Sequence, residues 1–190
     1  MGRVLKSMNN YQYRKHILPT GKEIHIYDGL VPLSIRDHVF VYVSSSKYMI
    51  GWKDGFFEDA VRHKYLFSSY SEQDNDECRL LPFLKITAVG ELIKDLTLTK
   101  SVVNLSTPSD THFAHVHPEK LVVLYYANMK WEQHWHGETL FYTEDLNEIE
   151  LAIRYQPGRV IVFDASIPHA IRPQSVCADH FRFTCAFTFN

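Results

Sequence analysis

The chain is expected to be mainly β, a sandwich or small barrel braced by N-terminal helices, and two observations lead there. From Ser101 onward it breaks into short runs rich in β-branched and aromatic residues: SVVNLS, KLVVLYYAN, ETLFY, IELAIRY, RVIVFDA and FRFTCAFTF. Turn chemistry punctuates them at Pro108-Ser109, His136-Gly137, Asp145 to Asn147 and Pro157-Gly158. Strands this short and this evenly spaced bury their apolar faces by closing on themselves or by packing as two layers.

The first half has a mixed texture. KEIHIY alternates as a strand does and ends at the turn signal Asp28-Gly29. Ser34 followed by Asp37 has the spacing of a capping box, ahead of a helical stripe of Ile35, Val39, Phe40 and Val43. LLPFLK and GELIKDL predict further helix, interrupted by Pro82 and Gly90. Residues 1–190 are expected to form a single domain, with 1–100 as helical and strand support and 101–190 as the β core.

Bulk properties narrow the function classes. A chain of 190 residues, 45% hydrophobic and 14% aromatic, is enough for one sizeable core. Twenty basic against 22 acidic residues give a net charge of −2, with no footprint for nucleic acid or an anionic membrane. A small-molecule or peptide partner fits that balance better. The N-terminal MGRVLKSMNN has no apolar run resembling a signal peptide, and Lys6 stands where a myristoylation pattern needs Ser or Thr, so a cytoplasmic protein is expected. Cys78, Cys177 and Cys185 are odd in number and lack CxxC spacing; reduced, mostly buried thiols are the expectation.

Of the eleven histidines, three stand where a metal site needs them. His115 and His117 are two apart in THFAHVHPE, and in an extended segment such residues share a face, so both imidazoles reach one ion. His169, in ASIPHAIRP, follows the run RVIVFDA and Pro168. Two ligands from one segment and a third from a distant strand make a facial triad with open positions. His134 and His136 form a second HxH around Trp135, but they precede Gly137 in an expected loop and read better as surface or substrate-side residues.

The last run carries a separate signal. Alternation in FRFTCAFTF puts Arg182, Thr184, Ala186 and Thr188 on one face, and Phe181, Phe183, Cys185, Phe187 and Phe189 on the other. The aromatic face is expected to pack into core, which turns Arg182 into the barrel. A buried guanidinium is costly unless it meets an anion, and its planar fork suits a carboxylate.

These residues resemble the 2-oxoglutarate- and Fe(II)-dependent oxygenases, in their prolyl-4-hydroxylase-like branch of small phage and bacterial members. The resemblance runs from about Val102 to Asn190 in the order HVH, LYYAN, GETLFY, PGRVIVFDASIPHAIRP and RFT. It implies a double-stranded β-helix, of jelly-roll or cupin-like form. It also implies Fe(II) and 2-oxoglutarate as cofactors, molecular oxygen as co-reactant, and hydroxylation with release of succinate and CO2. By the same resemblance His115 and His169 are iron ligands, Arg182 with Thr184 grips the far carboxylate of 2-oxoglutarate, and Tyr126 assists. Substrate contacts are expected from the first half and from loops around Trp131 to His136.

One position departs from the family pattern. Asp or Glu usually stands where this chain has His117, and neutral imidazole there leaves bound iron about one charge unit more positive. Three arrangements stay open at this level: His117 ligates, Glu119 swings in as the anionic ligand, or the position is filled by water or halide. Two other readings also stand. HVHPE with the later PHA is similar to cupin metal motifs, which serve 2-oxoglutarate-independent dioxygenases and isomerases, and a relative without the carboxylate could bind without turnover. A cupin of other chemistry needs no arginine at position 182.

Overall fold

The computed structural model describes residues 11–52, 65–108, 110 and 112–190. KEIHIY forms one arm of a hairpin: β1 (Gln12–Ile17) and β2 (Glu23–Asp28) pair antiparallel from Gln12↔Asp28 to Ile17↔Glu23. The sequence pattern did not announce β1, because QYRKHI has one wholly polar face (Gln12, Arg14, His16) and a Lys15 between Tyr13 and Ile17 on the other. Gly29, at φ 77°, then turns the chain as the Asp28-Gly29 signal predicts.

The capping box predicted at Ser34 and Asp37 is absent. Helix α1 (Leu33–Ser45) starts earlier, with Pro32 at its N-cap and no side-chain cap. The Pro32 carbonyl accepts from the amides of Ile35 and Arg36 at 3.0 Å each, which draws Ser34 into the first turn. Val39 and Val43 are the buried part of the predicted stripe; Ile35 and Phe40 pack at its flank. A capping box does occur at α2 (Glu72–Cys78), where the Ser71 amide donates to Asp74 at 2.8 Å and the Asp74 amide donates to Ser71 Oγ at 3.2 Å.

LLPFLK is helical as predicted, α3 (Leu80–Lys85), since Pro82 falls in the first turn, where an amide needs no helical partner. GELIKDL is helical only in part. Helix α4 (Ala88–Ile93) is N-capped by Thr87 and holds Gly90 so close to α3 that a Cβ there would lie 2.1 Å from the Lys85 carbonyl oxygen.

The remaining strands are β3 (Met49–Trp52), β4 (Tyr65–Ser69), β5 (Leu98–Ser106), β6 (Leu121–Tyr126), β7 (Thr139–Tyr142), β8 (Ile149–Ile153), β9 (Val160–Asp164), β10 (His169–Ile171) and β11 (Arg182–Phe189). Eight form a major sheet in the order β1-β2-β9-β6-β11-β5-β4-β3, and β10-β7-β8 form a minor sheet. His115 adds one antiparallel bridge to His169 on the outer side of β10. Two facing antiparallel sheets with this crossing order make the double-stranded β-helix that was expected, with helices on the outside. Of the turn signals, Gly137 and Gly158 both adopt φ 80° and Leu146 φ 63°, while Ser109 lies outside the described residues.

Period-2 alternation sorts the core into two layers. Val103, Val123, Tyr125, Phe183, Cys185, Phe187 and Phe189 pack against Val39, Val43, Leu80, Leu84 and Val89 of the helices. Ile24, Val102, Leu124, Tyr126, Ile161, Phe163 and Ala186 face the minor sheet. Phe181 does not join the aromatic face: it precedes β11 and is 51% exposed, because the pairing with β5 begins only at Arg182↔Ser106. Cys78 and Cys185 are buried as expected, but Cys177 lies exposed in the loop between β10 and β11. Among the described residues no helix is long and apolar enough to cross a membrane.

Candidate metal and carboxylate site

Three of the predicted residues converge between the sheets. The ligand nitrogens of His115, His117 and His169 all lie within 4.8 Å of one another. Backbone pairing sets this geometry, since the amides and carbonyls of His115 and His169 bond reciprocally at 3.0 Å and the His117 amide donates to Ala165 at 2.9 Å. His169 opens β10, with Pro168 just before it. Its ring packs on Phe163 with centroids 4.8 Å apart.

The hydrogen bonds orient the rings for ligation. His115 Nδ1 lies 3.0 Å from the Phe113 carbonyl oxygen, and His169 Nδ1 lies 2.9 Å from that of Ile167. A carbonyl can only accept, so each Nδ1 carries the hydrogen and Nε2 holds the lone pair a metal needs. Burial pushes the His169 pKa well below its ordinary value, and the neighbouring imidazoles push the same way, which keeps it neutral. Ligands about 2.1 Å from one ion stand about 3 to 4 Å apart, a contraction that modest side-chain rotations supply. The donor set therefore fits a divalent metal with imidazole ligands.

Glu119 does not join this trio. Its Oε1 accepts from Thr188 at 3.3 Å and from Thr99 at 3.4 Å, at the end of β11. His134 is exposed, and His136 bridges to Gln174 instead of approaching the three histidines.

Arg182 is fully buried on the inner face of β11. Its Nε donates to the Gly137 carbonyl at 2.9 Å, its Nη1 to Thr184 Oγ1 at 2.6 Å, and its Nη2 has no hydrogen-bond partner among the described residues. The guanidinium lies over the ring of Tyr155 at 4.7 Å and over that of Tyr126 at 5.4 Å. Gly137 permits this approach, since a Cβ there would stand 3.1 Å from Arg182 Cδ, at a φ of 80° that disfavours other residues. Burial pulls the guanidinium pKa down, while the two tyrosines and Glu138 pull it back up. Among the described residues no carboxylate comes within ion-pairing distance of Arg182.

One partly open cavity of about 60 Å3 joins the two clusters, lined by the three histidines together with Arg182, Thr184, Ala186 and Thr188. Arg182 and Thr188 mark its two ends along β11, and the histidines sit toward the Thr188 end, where the Lys120 amide donates to Phe189 at 2.9 Å. No Asp or Glu lines the cavity among the described residues. A buried guanidinium with an orphaned nitrogen, on a residue lining a cavity whose described lining holds no acid, fits the distal carboxylate of a small dicarboxylate.

Tyr126 is placed differently from its neighbours. It supports Arg182 from beneath, with its hydroxyl 2.6 Å from Thr139 Oγ1, and it does not line the cavity. Trp131 to His136 do not line it either: Trp135 is buried, and Trp131 packs on Tyr155 with centroids 4.5 Å apart. Two contributors were given no role by the sequence, although Asn128 closes the LYYAN run and Tyr155 the run IELAIRY. Tyr155 places its hydroxyl 2.6 Å from both Asn128 Oδ1 and the Phe183 carbonyl, and Asn128 Oδ1 accepts from the Phe183 amide at 2.9 Å. This buried network holds the start of β11, and so sets the depth of Arg182. Its members come from three separated segments, so no local pattern announces it.

No family model matches the sequence, and no curated protein matches it significantly. Solved structures do resemble the fold. A prolyl hydroxylase from Trichoplax adhaerens, in complex with a hypoxia inducible factor oxygen degradation domain peptide, aligns with a TM-score of 0.64 at 18% identity, covering 87% of this chain and 82% of that one. An oxidoreductase of the 2OG-Fe(II) oxygenase family from Burkholderia pseudomallei aligns at 0.64 and 9% identity, over 88% and 85%. A prolyl-4-hydroxylase from Pseudomonas putida aligns at 0.58 and 15%, over 95% and 92%. At these identities the likeness is one of fold.

Proposed function

We propose that this chain is a 2-oxoglutarate- and Fe(II)-dependent oxygenase, most simply a hydroxylase, acting on a peptide or small-molecule substrate in the cytoplasm. The observation that carries the reading is Arg182: a fully buried guanidinium with one nitrogen unpaired among the described residues, lining the same cavity as three convergent imidazoles, with no acid among its described lining residues. His115, His117 and His169 would hold the metal, and Arg182 with Thr184 would hold the distal carboxylate of the cosubstrate. Tyr126 and Tyr155 position the guanidinium from below. Bound Fe(II) and 2-oxoglutarate supply the oxidising chemistry, consuming molecular oxygen and yielding succinate, CO2 and an oxidised substrate.

What the protein itself does follows from its own groups. The Phe113 and Ile167 carbonyls hold the tautomers of His115 and His169 before any ligand arrives. The Thr184 hydroxyl and the Gly137 carbonyl hold the guanidinium fork in one orientation, so that little is reorganised on binding. Phe141 and Phe163, both fully buried, shield His169 from water. His117 in place of a carboxylate leaves the ligand set uncharged, which favours retention of the divalent state.

The test is to load the protein anaerobically with Fe(II) and 2-oxoglutarate and to follow the visible charge-transfer absorption, then succinate release with candidate substrates. Arg182→Ala should abolish the band at cosubstrate concentrations that saturate the parent while metal binding persists. A band of equal intensity in Arg182→Ala, or none in the parent, would remove the assignment. A band without succinate from any substrate would favour a binding relative that has lost turnover.

A further inference from the structure

A second concave site lies two strands away from His169, at the β8 edge of the minor sheet, which is unpaired among the described residues. Cross-strand partners share a face, and Arg14↔Ile26 and His16↔Ile24 are paired in the first hairpin. Ile24 and Ile26 belong to the inner core layer, so Gln12, Arg14 and His16 also point inward. They have no strand opposite them, because β8, the nearest strand of the minor sheet, pairs only with β7 among the described residues. The overhang and the strand edge enclose a groove of about 470 Å3, lined further by Asp28, Arg154 and Arg159.

The electrostatics of this groove oppose those of the whole molecule. Among the described residues three guanidiniums face a single carboxylate, which leaves two positive charges unbalanced in a chain whose net charge is −2. Asp28 is already committed: its oxygens meet Arg159 at 2.7 and 2.9 Å and Arg14 at 2.9 Å. Arg14 remains half-exposed, with 49% of its side-chain surface open, and Arg154 makes no ion pair among the described residues. The chain's first ten residues contain Arg3 and Lys6 and no acid, so their composition adds no negative charge.

We propose that this groove docks an extended acidic segment of a partner protein, which adds as a strand along the open edge of β8. Main-chain bonding to a sheet edge supplies affinity in this mode, and pockets for alternate side chains supply specificity. Side chains two apart in a strand share a face, so an acid-x-acid spacing turns two carboxylates toward Arg14 and Arg154 together. Five residues of β8 match a partner segment of about 17 Å. The site shares no residue with the histidine and Arg182 cavity, so it stands or falls independently of the function proposed above.

The experiment is fluorescence anisotropy with the full chain and three labelled probes: a short peptide with Glu at alternate positions, its Gln counterpart, and a single-stranded oligonucleotide of equal charge. The Glu peptide should bind at least tenfold more tightly than the Gln peptide and weaken as salt rises. Arg14→Gln combined with Arg154→Gln should lower its affinity at least tenfold, and N-methylation of alternate peptide amides should weaken it as well. Equal binding of the Glu and Gln peptides, or an unchanged affinity in the double variant, overturns the proposal; so does an oligonucleotide that competes equally well. Should the double variant fail to fold, Arg154→Glu, which breaks no ion pair, carries the same comparison.

Discussion

Thr184 shows how a single hydroxyl can matter at the residue scale. It accepts from Arg182 Nη1 at 2.6 Å and is itself buried, so Thr184→Val leaves one guanidinium donor without its partner while keeping side-chain volume. The loss is worth about 1 kcal/mol, or roughly a fivefold weaker affinity for 2-oxoglutarate. Calorimetric titration of the metal-loaded variant checks this; an unchanged affinity would mean that Thr184 does not orient the fork. The three thiols give a second contrast. Burial pushes Cys78 up to about 11 and Cys185 well above the ordinary thiol value, so both stay protonated and unreactive near neutral pH. A thiol reagent should label only Cys177 in the native protein and all three after unfolding.

Helices α3 and α4 matter as elements because they cover the outer face of the major sheet. Leu84 is fully buried at the centre of that cover, whereas Ile86, two residues on, is 82% exposed. Leu84→Ala should lower unfolding stability by about 2 to 5 kcal/mol. Ile86→Ala should stay within about 0.5 kcal/mol of the parent. Urea titration of both variants separates a packed helix from one that merely lies near the sheet. Pattern alone found these helices, but it could not find the start of α1. Ser34 and Asp37 have the right spacing for a box, yet Pro32 claims the N-cap first and carries Ser34 into helical geometry. Local spacing identifies residues able to cap, and the chain entering the helix decides which of them does.

At the scale of the whole molecule, the three histidines join segments far apart in sequence, so an ion held by them clamps the two sheets together. Binding that is confined to the folded state stabilises it by about 2.7 kcal/mol at a hundred times Kd. For a chain of this size that raises Tm by roughly 5 to 10 °C. Nickel(II) or cobalt(II) should produce this shift in the parent, and His115→Ala should lose most of it; an equal shift in the variant would place the metal elsewhere.

Much of this was open to reading from the residues in order. Alternation in RFTCAFTF gave the inward Arg182 and the outward phenylalanines, and HVH with a later PHA gave the histidine trio, because a strand's period of two is a local property. The depth of Arg182 was not legible: it depends on Asn128, Tyr155 and Gly137, which meet β11 only after the chain has folded back. The fate of Glu119 belongs to the same class, decided by hydroxyls at positions 99 and 188. The sequence by itself determined β2 and the six long strand runs from Ser101 onward, their faces, and the histidine and arginine side chains proposed to meet a metal and a carboxylate. Only the tertiary structure decided which groups close around the cavity and which edge stays open, since hydrogen bonds and packing between distant segments have no period along the chain.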